Sequence, residues 1–330
     1  MTDYQSVKYK VPTLNLDGTT EASPVEGEMW YDSGKFYLGT SQTFFGVWSS
    51  GGNLGTARYA LAGCGTQSAG LSMGGSDGNV YLNVTEEYNG TAWSSGGNLA
   101  TIRNGLAGAG TQSAGLCMGG RDATPASNVT EEYNGTSWSS GGNLATARWS
   151  LAGGGIQTAA WCAGGWPLGG TDVTEEYDGT SWSAGGSLAT AREALAGCGT
   201  QTAGLSMGGT TGSYSNVTEE YDGSAWSAGG SLVIARKNHA GCGTQSAGLI
   251  TGGSPSASVG HVTEEYDGSA WSRGGDLTTA RLTLACAGTQ SAGLSMGGNG
   301  LSANWSTATE EYTSPGTGSY DELFTATEGL

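Results

Sequence analysis

The stretch "VTEEYDGTSWSAGGSLATAR", residues 173–192, decides the fold, because the chain repeats it with small changes around Trp93, Trp138, Trp226 and Trp271. Its Trp recurs at Trp48, Trp93, Trp138, Trp182, Trp226 and Trp271, a step of 44 or 45 residues. Its Arg recurs at Arg58, Arg103, Arg148, Arg192, Arg236 and Arg281. A Gly-Gly pair begins at Gly74, Gly119, Gly164, Gly208, Gly252 and Gly297, and T-E-E-Y ends at Tyr88, Tyr133, Tyr177, Tyr221, Tyr266 and Tyr312. A fixed period of this length marks supersecondary units that bury their faces only by stacking on one another.

Each unit reads as four short strands. "YALAGCG" and "AGLSMGG" are small-residue runs joined by the turn "TQS". "NVTEEY" passes through Asn-Gly or Asp-Gly into "TAW", a strong hairpin signal if both turn residues take positive φ. Four-stranded units of about 40–50 residues build β-propellers. The landmarks are also offset: the sixth T-E-E-Y is followed by no Trp strand, whereas "FGVWSSGG" around Trp48 has no unit of its own. The start of the chain is therefore expected to supply the outer strand of the last blade and so remove a free sheet edge. A seven-bladed ring, with "MWYDSGKFYLG" building the extra blade, is the competing count.

Gly74-Gly75, Tyr88 and Trp93, with their counterparts in every later unit but the last, form a pattern that resembles the kelch repeat. The resemblance covers residues 48–312. The expected fold is thus all-β: a six-bladed kelch-like β-propeller over 46–313, flanked by an N-terminal docking segment or hairpin, 1–45, and a C-terminal tail, 314–330.

The repeated side chains are read as structural. The six Trp can supply packing between blades that Gly and Ala cannot. Neighbouring Glu residues such as Glu86 and Glu87 point to opposite faces of their strand, and both faces meet another blade. With one Arg per unit available, an Arg-to-Glu contact is expected around the ring, since a buried carboxylate without a cation or amide donor is costly. A ring of Glu binding Ca²⁺ is the weaker alternative, because such sites gather their ligands in one loop.

Composition narrows the function. The 330 residues include 62 Gly, 12 Lys plus Arg and 29 Asp plus Glu, a formal charge of −17. That balance argues against a nucleic-acid partner, whose affinity rests on basic residues displacing counterions. No run approaches the roughly 20 apolar residues of a membrane span, and "MTDYQSVKYKVPTL" lacks a signal-peptide core, so a soluble chain made in the cytoplasm is expected, without membrane insertion. Cys64, Cys198 and Cys242 share one repeat position, Cys117 and Cys162 another, and Cys286 lies one place off the first, a distribution that reads as buried free thiols. His239 and His261 are the two histidines, and each replaces a residue of the repeat, so no metal, cofactor or catalytic set is expected and the chain is read as a non-enzyme. The copper-holding Tyr and His ligands that a likeness to kelch-type galactose oxidases would imply are not apparent, which makes a secreted carbohydrate oxidase the most distant reading.

What varies between units is the guide to binding. Directly after the Arg stand Tyr59, Asn104, Trp149, Glu193, Lys237 and Leu282, and the segment after Gly-Gly varies as well, contributing Tyr81, Arg121, Trp166, Tyr214 and Trp305. In a four-stranded antiparallel blade both zones emerge on one face, while the uniform "TQS" and Asn-Gly or Asp-Gly turns occupy the other. A varied face on a constant scaffold is expected of a binding surface, although drift in unconstrained loops gives the same pattern.

Residues 1–45 differ in composition, with Lys8, Lys10 and Lys35. "GEMWYDSGKFYLG" resembles leading segments of tail-associated and fibre-like virion proteins of tailed bacteriophages. This second resemblance, over about 30 residues, implies a virion structural or adhesion protein docked to other virion proteins through residues 1–45, exposing one face to a host-surface glycan or protein, with homo-oligomeric assembly. The alternative is a cellular kelch-type interaction or sugar-binding propeller.

Overall fold

In the computed structural model the described residues are 29–32, 35–38, 46–122, 126–167, 169–256, 258–300, 305–314 and 321–325, of which 29–32, 35–38 and 321–325 are described as backbone. They divide into two units, one drawn from 1–44 and 315–330 and the other spanning 45–314.

The larger unit is a ring of six four-stranded antiparallel sheets. Blade one runs Ala62–Thr66, Ala69–Met73, Thr85–Tyr88 and Trp93–Ser95, each strand paired with the one before. Blades two to five begin at Ala107, Ala152, Ala196 and Ala240 and repeat that order. Blade six takes Ala285–Gly288, Gly293–Met296 and Thr309–Thr313 from the end of the ring and Val47–Ser50 from its beginning. Trp48 pairs with Tyr312 as Trp93 pairs with Tyr88, so the ring closes by strand exchange, as the offset of the landmarks requires.

Small residues allow the inner strands to crowd together. A Cβ on Gly108 would lie 2.9 Å from the Gly63 carbonyl of the neighbouring blade, closer than a methyl carbon tolerates. The second strands carry the apolar filling, with Leu71, Leu116, Trp161, Leu205, Leu249 and Leu294 fully buried at one repeat position. The six T-E-E-Y tyrosines are buried to 1% exposure or less, whereas Trp93, Trp138, Trp182 and Trp226 are half-buried on the outer strand; Trp48 and Trp271 are buried. Each Trp nevertheless joins two blades, because its Nε1 donates to the third-strand Thr of the preceding blade, as from Trp138 to Thr85 at 2.9 Å and from Trp48 to Thr263 at 2.9 Å.

The Asn-Gly and Asp-Gly turns differ from the expected two-residue hairpin. Gly90 has φ 87°, but Asn89 is not left-handed; its Oδ1 accepts from the amides of Thr91 and Ala92, and the loop runs four residues from Tyr88 to Trp93. The side-chain cap satisfies amides that a tighter turn would have paired within the backbone.

The smaller unit is a three-stranded sheet in which Lys35–Leu38 pairs on one side with Met29–Asp32 and on the other with Asp321–Thr325. Met29–Asp32 and Lys35–Leu38 pair as a hairpin, and the third strand lies in the segment that the sequence alone reads as a tail. Met29–Asp32 and Lys35–Leu38 accordingly belong to this separate sheet, and the seven-bladed count does not hold among the described residues. Lys8 and Lys10 lie outside the described residues.

Candidate binding face

The face is held by the ring arginines, all fully buried. Arg58 donates through Nη1 to the carbonyls of Gly74 (3.1 Å) and Val84 (2.7 Å), and through Nη2 to Ser72 Oγ (2.9 Å) and Glu86 Oε1 (3.0 Å). It thereby ties the end of strand two to the start of strand three. The Arg-to-Glu contact expected from the sequence forms in every blade, pairing Arg103 with Glu131, Arg148 with Glu175, Arg192 with Glu219, Arg236 with Glu264 and Arg281 with Glu310. Burial pulls Arg58 down to about 10, against the opposing pull of Glu86. The second Glu of each pair turns the other way: Glu87 Oε1 accepts from Tyr133 of the next blade at 2.5 Å, and Gly97 N donates to the same hydroxyl. Both carboxylates of a pair thus have a fixed place, which leaves little room for a ring of Glu around Ca²⁺.

Behind each Arg the backbone forms a device that the sequence did not announce. The second residue after it is left-handed in every blade: Ala60, Gly105, Ser150, Ala194, Asn238 and Thr283, with φ between 50° and 61°. The amide of each donates to the carbonyl of its counterpart in the preceding blade, from Ala60 to Thr283 and onward round to Ala60 again, at 2.7–3.0 Å. Six peptide hydrogen bonds close a ring at one end of the central channel. Because one of the six is Gly, composition gave no hint of the left-handed backbone.

The varied residues stand immediately outside this ring. The residue after each Arg forms an antiparallel bridge with the residue after Gly-Gly: Tyr59 with Ser76, Asn104 with Arg121, Trp149 with Trp166, Glu193 with Thr210, Lys237 with Ser254 and Leu282 with Asn299. The two variable zones are therefore one surface. The ten candidate residues fall into three groups around it. Trp305 stacks on Tyr59, with centroids 4.5 Å apart, and lies over Gly78. Arg121 lies 5.4 Å from the Tyr81 ring and 4.7 Å from that of Trp149, which meets Trp166 at 5.7 Å, with Asn104 bridged to Arg121. Lys237 lies 5.6 Å from the Tyr214 ring, beside the Glu193 to Thr210 to Tyr214 bridges.

Inside the channel, the position after the left-handed residue is Leu61, Leu106, Leu151, Leu195 and Leu284, with His239 in blade five. His239 is 6% exposed and neither imidazole nitrogen has a partner. Burial pushes its pKa down to about 3; the nearby Arg236 adds to the shift, the Met207 backbone opposes it, and Arg192 adds a smaller push. The six thiols are free and buried, and burial raises Cys117 and Cys162 to about 11. Cys242 and Cys286, on adjacent inner strands, have their sulfurs 3.0 Å apart. Among the described residues no group of three or more His, Cys, Asp or Glu is placed to hold a metal ion.

On the opposite face the "TQS" segment is more than a turn. Gln112 Nε2 donates to the carbonyls of Gly70 (3.0 Å) and Tyr88 (2.7 Å) in the preceding blade, and Gln67, Gln157, Gln201, Gln245 and Gln290 do the same. The signal was available, since Gln is unchanged in all six units while its neighbours vary.

No family model matches the chain, and no curated protein does. Among solved structures the chain is similar to one titled "Structure of YjhT", with a TM-score of 0.67 and 11% identity, covering 80% of this chain and 97% of that one. At that identity the likeness is one of fold, and it places this chain among the six-bladed β-propellers.

Proposed function

We propose that this protein acts by binding rather than catalysis, as an adhesion component of a phage-type particle that presents the varied propeller face to a host-surface glycan or protein. The observation that carries the reading is the repeated bridge beside the ring arginines: one backbone arrangement, fixed six times by the same Arg and the same left-handed position, displays six different residues after the Arg. A scaffold this uniform, with its variation gathered on one rim, suits recognition. The particle role rests on the resemblance of "GEMWYDSGKFYLG" to leading segments of virion proteins, and the small sheet of Met29–Asp32, Lys35–Leu38 and Asp321–Thr325 is the part assigned to docking on other virion proteins.

No helix among the described residues is long and apolar enough to cross a membrane. Mass spectrometry of purified particles tests the assignment: recovery of the chain at stoichiometric abundance supports it. Absence from particles, with binding to a cellular partner retained, moves the same face to a kelch-type interaction module.

A further inference from the structure

We infer that the part of the varied face contributed by blades one to three is a subsite for a neutral, hydroxyl-rich carbohydrate; the inference rests on the binding role proposed above and names its ligand class. Three polar atoms there are buried without a hydrogen-bond partner: Asn104 Oδ1, Arg121 Nε and Trp149 Nε1. Asn104 is 5% exposed, and its backbone bridges Arg121, whose guanidinium lies against Trp149 and Tyr81. Buried polar groups are nearly always paired, and an orphan leaves its desolvation uncompensated. Three orphans meeting at one surface cluster mark a place where a ligand supplies the missing partners.

Their chemistry selects that ligand. Two are donors and one is an acceptor. A sugar hydroxyl both donates and accepts, so adjacent hydroxyls answer all three, while the ring faces of Trp149, Trp166 and Tyr81 take the C–H face of a pyranose. A carboxylate or phosphate offers acceptors alone and would set its charge against Asn104 Oδ1. A quaternary cation would meet the like charge of the Arg121 guanidinium beside the same rings.

The test uses the full chain on a printed array of neutral and anionic glycans, with adsorption to host envelope fractions in parallel. Trp149→Phe keeps the ring but removes the N–H donor, and Asn104→Asp keeps the shape but makes the acceptor anionic. The inference expects retention on neutral glycans, at least tenfold weaker for Trp149→Phe, and a change of Trp fluorescence when the retained glycan is titrated in. Retention on anionic glycans alone, or equal retention by wild type and both variants with melting temperatures unchanged, overturns it. Envelope adsorption that survives both variants but is lost in Tyr59→Ala also overturns the subsite while leaving the binding face intact. Failure of the wild type to adsorb to any envelope fraction instead overturns the proposed function.

Discussion

Gly154 stands opposite Trp161 across the first two strands of blade three, where the other blades pair Cys64 with Leu71, Ala109 with Leu116, Cys198 with Leu205, Cys242 with Leu249 and Ala287 with Leu294. The largest second-strand residue thus faces the smallest first-strand one, and a Cβ on Gly154 would come within 2.8 Å of Trp161 Nε1. Total volume is conserved where the individual residues are not.

This compensation predicts a coupled pair. Gly154→Ala should destabilise by about 1–3 kcal/mol through overpacking, and Trp161→Leu by about 2–4 kcal/mol through the cavity it leaves. The double variant restores the Ala and Leu combination of blades two and six and should lose much less than the sum. Denaturant midpoints of the four proteins measure the coupling; additive losses would show that the two sites are independent.

The Gln clamp predicts that Gln112→Ala, on the face assigned no binding role, is not silent. It deprives the carbonyls of Gly70 and Tyr88 of a donor and should cost about 1–3 kcal/mol. A denaturation midpoint equal to wild type would mean that water replaces the amide without loss.

Arg148→Met should cost about 3–5 kcal/mol, because it strands Glu175 in a buried site and leaves the Gly164 and Val173 carbonyls short of a donor. Replacing Glu175 with Gln in the same chain should recover part of that loss. An unchanged midpoint for Arg148→Met would contradict a buried, paired arginine.

His239 gives a pH dependence of definite sign. Its folded pKa of about 3 lies below the unfolded value near 6.5, so the unfolded chain binds a proton that the native one refuses. Stability is then independent of this group above about pH 6.5 and falls by up to about 1.4 kcal/mol per unit as pH drops toward 3. His239→Leu, which completes the Leu collar, should raise the melting temperature at pH 7 and flatten the profile between pH 6 and 4. Parallel profiles for the two proteins would place the acid sensitivity elsewhere.

Blade number, strand order and the exchange that closes the ring were legible because they depend on spacing, and Trp48 without a unit matched Tyr312 without a Trp. The Arg-to-Glu pairs were legible from charge balance, since each buried carboxylate needed a cation and the repeat supplied one. The left-handed ring was not, because Ala60, Ser150, Ala194 and Thr283 hold by interblade hydrogen bonds a conformation that their side chains do not favour. The Gln clamp was hidden for a different reason. A side chain in a turn reads as local, and its partners lie 24 and 42 residues away, as for Gln112 with Tyr88 and Gly70. On the varied face the sequence placed the candidates together, but their division into three groups follows from side-chain packing that period and composition do not encode.

The most direct test of the account is adsorption to host envelope fractions by a chain whose face has been made uniform. Tyr59, Asn104, Trp149, Glu193, Lys237 and Leu282 are replaced together by Ser, leaving the ring arginines, the left-handed ring and the Gln clamp in place, with circular dichroism confirming the folded β-ring. Binding energy concentrates in a few central aromatic and charged residues, so the account predicts that the wild type adsorbs and the uniform chain does not. Equal adsorption by the two folded proteins would contradict it.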